Sequence, residues 1–428
     1  MLLNRTGIRV VSQVMLAVST ITSVAICPVG AAPATPSASH KNAIRIGFIA
    51  SLSGAGAMAS QLLLNGAQLY LDQCHNTMAG KPVEFFVKND ETDRATAAAK
   101  VRELVERDNV HLITGVFFTH IAYAIMPTVD KYQVPLVDAT AGGDDITQRK
   151  RSKWCIRTSF SASQQPHVLG EYAYKTLGYK RVATIGSDIA YGYEQVGGFQ
   201  QSFEQEGGQV VQKLWTPLGF TNFTNILKYL RKDVDAVFTC NVGETALVIP
   251  KELKELGYKM PVIAGATSYD DSILEKMGAD GVGGISAQHY TSALDTAANK
   301  AFVKAYRAKF KSDPSFYSEN GYTAMMWINK AIDALKGDVS NKEKLMAALR
   351  AVELPNSPRG PETLDTYGNP IQNTYILKME KGPNGYRNVL LKTYPNTSQF
   401  WIWKPEEYLK QPVYTKQYPP CTHCIGTK

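Results

Sequence analysis

Residues 43–73, AIRIGFIASLSGAGAMASQLLLNGAQLYLDQ, constrain the fold of this chain more than any other stretch. Ile44–Ala50 is a continuous apolar run of strand length. It breaks at a glycine turn, and Met58–His75 then carries Leu62, Leu63, Ala67, Leu69, Tyr70 and Leu71 on one broad side of a helix. A fully apolar strand running straight into a helix is the unit of a parallel sheet buried on both faces. The unit recurs. Strands are predicted at Pro82–Lys88, His111–Gly115 and Pro135–Asp138, with helices at Thr96–Arg107, capped by Asp93, and at Ile121–Tyr132.

A second series follows. Strands at Arg181–Gly186, Gln209–Leu214, Ala236–Thr239 and Val262–Ala264 alternate with helices at Tyr193–Glu206, Asn225–Arg231, Thr245–Leu256 and Asp271–Met277. Two series argue for two α/β lobes with right-handed crossovers. Beyond Asn299 the pattern changes to three helices, Lys300–Phe310, Ser318–Leu335 and Lys342–Arg350. Strand-like runs then follow at Asn373–Met379, Tyr386–Tyr394 and Gln399–Trp403. Segments that end a series in this way return to pack on earlier lobes, and a chain that crosses more than once makes a hinge.

The N-terminus reads as an export signal. Arg5 and Arg9 precede a mostly apolar stretch, Val10–Ile26, and small residues follow at Gly30, Ala31, Ala32 and Ala34. The stretch is diluted by Ser and Thr, whereas a membrane span wants about 20 strongly apolar residues. Residues 1–32 are therefore expected to be a cleaved signal peptide and 33–42 a Pro/Ala/Ser linker. The remainder, about 390 residues, exceeds one ordinary domain. Losing Arg5 and Arg9 lowers the net charge of +8 by two, to +6. The basic residues are interleaved with acids, which argues against a nucleic-acid partner.

Without Cys27, five cysteines remain, Cys74, Cys155, Cys240, Cys421 and Cys424, so at least one should be free or paired between chains. Cys421-Thr-His-Cys424 lies in a Pro-rich tail. It has no strand–helix setting for a redox site, no His after the second Cys for haem, and no second CxxC for zinc; a local or tail-anchoring disulfide is expected. The seven histidines show no metal-ligand spacing. No G-x-S-x-G, H-E-x-x-H, G-K-[ST] or EF-hand pattern occurs, so no catalytic residue, cofactor or metal is assigned.

Gly54-Ala-Gly-Ala-Met-Ala59 fits the dinucleotide fingerprint G-x-G-x-x-[GA]. The acid that should follow about 20 residues on is missing; Asp90 lies 90 − 56 = 34 residues past Gly56. The bland alternative, a tight turn bringing a helix N-terminus to a crevice, fits an exported chain better. Ligands of open α/β sheets sit outside the carboxyl ends of strands. That places Thr119 and His120 after one strand and Thr140, Ala141 and Gly142 after another, with hydroxyls and N–H groups to offer a carboxylate. Thr119 as a plain helix cap is the competing reading. Phe117, Phe118, Tyr123, Tyr191, Tyr193 and Tyr290 are aromatic residues near the same edges, and His289 lies near another.

The chain resembles the leucine/isoleucine/valine-type substrate-binding proteins of bacterial ABC importers. The resemblance spans about Ile44 to Tyr394. It rests on Ile46-Gly-Phe-Ile-Ala-Ser-Leu-Ser-Gly54, Lys88-Asn-Asp-Glu-Thr-Asp93, Gly115 with its strand, Pro135-Leu-Val, Ile156-Arg-Thr158 and Asp188-Ile-Ala-Tyr-Gly192, in that order. It implies the type I periplasmic-binding-protein fold: two doubly wound parallel-sheet lobes joined by a three-crossing hinge that closes over a ligand. The crossings are expected near Thr158–Ser161, Ala287–Tyr290 and Gly360–Asp365. Lobe one would be 43–158 plus 290–360, lobe two 161–287 plus 365–405, and 406–428 a tail. The resemblance also implies a periplasmic location, a small-molecule ligand, an inner-membrane ABC permease as partner, and no enzymatic activity.

Family members hold an amino acid's carboxylate with a hydroxyl at the position of Thr119 and with the loop at Thr140–Gly142; Tyr191 matches a cleft aromatic. Gly142 falls where the family often has Thr. The acid that would pair with an α-ammonium is replaced by Thr267, in the loop after Val262–Ala264. Breaking a buried ion pair costs roughly 3–5 kcal/mol, so an amino acid is penalised unless Glu244, Asp270 or Asp271 reaches in. A carboxylate without an ammonium group, aromatic ones included, is not. The ligand-binding set expected is Thr119, Thr140, Ala141, Gly142, Tyr191, Thr267, Phe118 and His120. The alternatives are a branched-chain or other amino acid as ligand, or an exported enzyme or sensor on the same fold.

Overall fold

The computed structural model describes residues 42–217, 222–242, 244–383 and 385–424, with only the backbone of Glu244. The expected signal peptide and nearly all of the linker lie outside the described residues.

The first series contains β1 (Ile44–Ala50), α1 (Ala57–Gln73), β2 (Thr77–Met78), β3 (Lys81–Asn89), α2 (Arg94–Glu106), β4 (Leu112–Gly115), α3 (Thr119–Tyr132), β5 (Leu136–Asp138) and β6 (Cys155–Arg157). Its strands lie in the order β2-β3-β1-β4-β5-β6. All pairings are parallel except the short β2–β3 ladder; Ile46, for example, stands beside Phe85 and Leu112. The buried faces of β1 and β4 explain their unbroken apolar runs.

The second series contains α4 (Gln164–Lys175), β7 (Arg181–Ser187), α5 (Ala190–Gln205), β8 (Gln209–Thr216), α6 (Thr224–Leu227), β9 (Ala236–Cys240), α7 (Glu244–Glu255), β10 (Val262–Ala264), α8 (Leu274–Met277) and β11 (Ile285–Gln288). Three helices follow, α9 (Ala297–Phe310), α10 (Phe316–Ala334) and α11 (Lys342–Arg350). The chain ends in β12 (Leu354–Ser357), β13 (Gly360–Leu364), β14 (Pro370–Gly382), β15 (Gly385–Thr397) and α12 (Pro405–Tyr408). The second sheet runs β12-β13-β14-β11-β10-β9-β7-β8, with β15 also paired to β14. Strands β7 to β11 are parallel, and β12 to β15 add an antiparallel extension.

Several sequence expectations are corrected. Gln164–Lys175, predicted as nothing, is a helix: its Gln, Pro and His residues are buried, so no polar/apolar alternation marks it. Gln399–Trp403 is not a strand; Phe400 turns inward to pack on Tyr367 and Tyr408. β12 and β13 were not foreseen, because Pro355, Pro358 and Pro361 read as loop; both lie at the far end of the sheet, where proline is tolerated. Cys421 and Cys424 form the expected disulfide, and Cys155 and Cys240 are free and buried.

α10 returns to the first sheet by crossing α1 at two glycines. A Cβ on Gly66 would stand 1.8 Å from the Ser318 carbonyl oxygen, and one on Gly321 1.9 Å from that of Leu63. Where the segments between the sheets meet, Arg359 is fully buried. It donates to the carbonyl of Thr158 (3.2 Å), to Gln372 Oε1 (3.1 Å) and to Asn320 Oδ1 (2.7 Å), and it pairs with Glu319. One guanidinium thus ties the exit from β6, the start of α10 and β14 together.

Candidate functional site

The strand ends of both sheets border one cavity of about 580 Å³. From the first series come Thr92, Asp93 and Arg94 after β3, Phe117 to His120 after β4, and Thr140 and Gly142 after β5. Ile189 to Tyr191 follow β7, Val242 follows β9 and Thr267 follows β10; Phe160 and Tyr317 complete the wall. The location follows from topology, since parallel strands deliver their helices' N-termini to one edge.

The turn after β4 is strained. Gly115 has φ +99° and a Cβ there would stand 2.4 Å from the Ile49 carbonyl oxygen; Val116, a β-branched residue, has φ +63°. Such a conformation costs about 1–3 kcal/mol and concentrates at binding sites. The Val116 N–H bonds the Ile49 carbonyl at 2.6 Å, which locks the turn to β1. The turn aims Phe117, Phe118 and Thr119 into the cavity. Gly56 explains the opening glycine turn: a Cβ there would stand 2.8 Å from the Phe118 ring, so the turn seats an aromatic side chain.

Thr119 is the first residue of α3, not its cap. Phe118 occupies the cap position and makes no side-chain bond. The Phe118 carbonyl accepts the Ile121 and Ala122 N–H groups, both at 3.0 Å. The N–H groups of Thr119 and His120 belong to the open first turn, and the Thr119 hydroxyl has no hydrogen bond among the described residues. Three helix starts converge here, those of α2, α3 and α5. Each favours negative charge by about 0.3–1 kcal/mol, more when partly buried.

The loop after β5 is held from two sides. Asp138 Oδ1 accepts the N–H groups of Thr140 (3.1 Å) and Ala141 (2.8 Å). Arg157, fully buried, donates to the carbonyls of Ala141 (2.9 Å) and Gly143 (2.8 Å). Ala141 is thereby corrected as a donor to ligand: its N–H is committed to Asp138 and to the Val116 carbonyl, and it does not line the cavity. The Thr140 hydroxyl donates to the Ala139 carbonyl at 2.7 Å. Gly142 lies under the Tyr191 and Phe160 rings, at 3.1 and 3.4 Å from a would-be Cβ.

On the facing wall, the Tyr191 hydroxyl accepts from Gln195 Nε2 at 2.8 Å and lies beside Thr267; burial holds the phenol well above its usual range, so it remains a donor. The Thr267 hydroxyl donates to the Asn241 carbonyl at 2.9 Å. His120 stacks on Phe118, with centroids 5.3 Å apart, and its Nε2 lies 3.4 Å from the Thr92 carbonyl. The sites foreseen at Thr119, Thr140, Gly142, Tyr191, Thr267, Phe118 and His120 are therefore gathered around one space.

Other candidates lie elsewhere. Tyr290 is buried and bonds Asn299, Tyr193 bonds Asp188, and Tyr123 is not in the wall. His289 is buried against Phe160, with Nε2 3.0 Å from Asn320 Oδ1. Asp270 accepts from Ser272 and the Phe316 N–H, and Asp271 from Thr291, the Ser292 N–H and Asn388; neither reaches the cavity. The side chain of Glu244 is outside the described ones. Asp93 is the acid in the described wall, and its Oδ1 caps α2 by accepting the Thr96 N–H at 2.7 Å. Sequence reasoning missed Thr92, Asp93, Arg94, Phe160, Ile189, Ala190, Val242 and Tyr317 as lining residues. Arg94 and Ala190 carried a usable signal, being first in helices that follow strands; Tyr317 arrives from α10, which nothing local announces.

The model of the periplasmic binding protein family matches residues 43–384. A Leu/Ile/Val-binding protein homolog 6 of Brucella melitensis is 27% identical over 368 residues, covering 84% of this chain and 93% of the relative. An ABC transporter substrate-binding protein from Sphaerobacter thermophilus superimposes with a TM-score of 0.80 at 31% identity, over 83% of this chain and 99% of that one. A solute binding protein of an ABC transporter from Rhodopseudomonas palustris BisB5, in complex with 3,4-dihydroxybenzoic acid, gives 0.79 at 30%, over 84% and 99%. With most of its length matched and the cavity placed between two parallel-dominated sheets, this chain belongs to the periplasmic binding protein family.

Proposed function

We propose that the chain is an exported solute receptor of an ABC importer that binds a small carboxylate with an aromatic body. The signal peptide would be removed, and the mature protein would act in the periplasm. Lobes 43–158 plus 290–360 and 161–287 plus 365–405 would close over the ligand by hinge motion and present it to an inner-membrane permease.

The observation that carries this reading is the facing wall. The resemblance puts Thr267 where amino-acid binders carry an acid; its hydroxyl donates to the Asn241 carbonyl, and Asp93 Oδ1 caps α2. Among the described wall residues the one acid, Asp93, sits at the start of α2, and the Thr267 position offers an α-ammonium no carboxylate. A carboxylate finds Thr119, two open N–H groups and converging helix starts. Phe117, Phe118, Phe160, Tyr191 and Tyr317 supply the apolar enclosure that such a ligand needs. The dihydroxybenzoic acid in the Rhodopseudomonas relative supports the same class.

The second reading, a branched-chain amino acid, is favoured by the name of the Brucella relative. A thermal-shift screen separates the two, since a ligand bound by the folded state alone adds RT ln(1 + [L]/Kd), about 2.7 kcal/mol at a hundredfold excess over Kd. Stabilisation by benzoate or hydroxybenzoates and none by leucine or isoleucine is the expected result. The reverse overturns the proposal.

A further inference from the structure

The cavity wall contains a cation that the carboxylate site does not use. Arg94 opens α2 and lines the cavity. Its side chain has no hydrogen bond or ion pair among the described residues. The neighbouring acid, Asp93, is turned into α2 by its bond to the Thr96 N–H.

The sheet itself sets the distance between Arg94 and the Thr119 end. Arg94 follows β3 and Thr119 follows β4, and β1 lies between these two strands. Two strand spacings put the helix starts about 10 Å apart, the scale of one aromatic ring with a substituent at each end. What fills the gap is mainly aromatic, with the His120 imidazole stacked on Phe118 and its Nε2 3.4 Å from the Thr92 carbonyl. The turn after β1 carries Gly56, and the Phe118 ring sits over it, edge-on to Phe117 with centroids 4.7 Å apart. Along the carboxyl edge of the first sheet the order is therefore hydroxyl and open N–H groups, an aromatic floor, then a guanidinium.

We infer that the ligand carries a second acidic group at the far end of its ring, and that Arg94 is the residue that selects it. The inference rests on the aromatic-carboxylate reading above and names the subclass, a ring-bearing diacid. A guanidinium suits that role because its planar fork meets a carboxylate through two parallel hydrogen bonds. Arg94 is exposed, so replacing it leaves the core intact.

The test is calorimetric titration of the full mature protein with benzoate and with benzene-1,4-dicarboxylate, in wild type, R94A and R94K. The expected result is that the diacid binds wild type more tightly than benzoate does. R94A should then lose about tenfold more affinity toward the diacid than toward benzoate. R94K, which keeps the charge and loses the fork, should fall between. Equal losses for both probes, or none for either, overturn the assignment of Arg94. Wild type that binds benzoate and rejects the diacid overturns the diacid inference and leaves the aromatic-acid reading standing. Binding of leucine with rejection of both acids overturns both.

Discussion

Gly142 stands directly beneath the ring of Tyr191: a Cβ built on it would lie 3.1 Å from one ring carbon of Tyr191 and 3.4 Å from the ring of Phe160. The two rings come from opposite sides of the cavity wall and meet over this glycine, with centroids 6.5 Å apart. Absence of a side chain thus lets the aromatic wall close down, in a loop where amino-acid binders resemble one another in carrying Thr. We expect G142T to push Tyr191 into the cavity and weaken an aromatic acid about tenfold, the cost of overpacking by 1–3 kcal/mol. The melting temperature should change little, because Tyr191 has open space to move into. Calorimetry and a melting curve on the same preparation check both parts.

Thr119 supplies a different quantity. Its hydroxyl, the first group on α3, makes no hydrogen bond among the described residues. A hydrogen bond to a charged ligand oxygen contributes about 1.5–3 kcal/mol. T119V preserves shape and helix position, so the expected outcome is a loss of at least tenfold in carboxylate affinity with an unchanged melting temperature. Unchanged affinity would remove Thr119 from the site.

How much of this was legible in the sequence differs between the two sheets. β1, β3, β4, β7 and β9 announced themselves as apolar runs before helical periodicity, and the strand-end rule led from them to Thr119, Thr140, Gly142 and Tyr191. Local pattern carried no information about partners distant in sequence. Tyr317 and Phe160 reach the cavity because Gly66 and Gly321 let α10 cross α1 closely, and because the segment after β6 passes between the sheets. The buried polar residues hid elements outright. α4, which opens on the buried Gln164, Gln165 and His167, was assigned no element, and Gln164 is buried because its amide donates to the carbonyls of Pro370 (3.0 Å) and Thr397 (2.8 Å). Ala141 was misread for the same reason: nothing in Ala-Thr-Ala-Gly shows that Asp138 already holds its N–H.

Arg157 illustrates how such a hidden contact supports the site. It donates to the carbonyls of Ala141 and Gly143 and to Asn369 Oδ1 at 2.8 Å, all in a fully buried setting. Asp138, Asp144 and Glu194 surround it without a direct ion pair. Lysine keeps the charge and cannot span these acceptors. R157K should cost about 2–4 kcal/mol in chemical unfolding, from loss of charged hydrogen bonds. It should also weaken ligand binding, because the loop that carries Thr140 and Gly142 loses its anchor. Stability and affinity falling together would mark Arg157 as a positioning residue; stability falling with affinity intact would confine it to the core.

The buried acids make stability depend on pH in a direction opposite to that of ordinary ion pairs. Burial pushes Asp138 up to about 7, Asp144 to about 6, Asp270 to about 7 and Glu362 to about 7. For each, the folded state holds a proton that the unfolded chain has released above pH ~4. Through these acids the folded state binds more protons in this window, so their contribution to stability declines as pH rises from about 4 to about 7 and is level beyond it. The opposite sign belongs to Asp108, lowered overall by Arg107 and Lys88 although burial opposes it, and to Glu103, lowered by Lys88 and Lys100, whose contribution is lost as pH falls below ~4; it belongs also to His111, His167 and His289, which burial holds neutral and whose contribution is lost as pH falls below ~6.5. Acids and histidines therefore oppose each other below about pH 6.5, and a single-site variant is the informative measurement. D138N isolates one contributor. The amide keeps an oxygen to accept the Thr140 and Ala141 N–H groups and no longer titrates, so the melting temperature of the variant relative to wild type should rise as pH goes from about 4 to about 7. A slope identical to wild type would show that Asp138 is already ionised throughout that range.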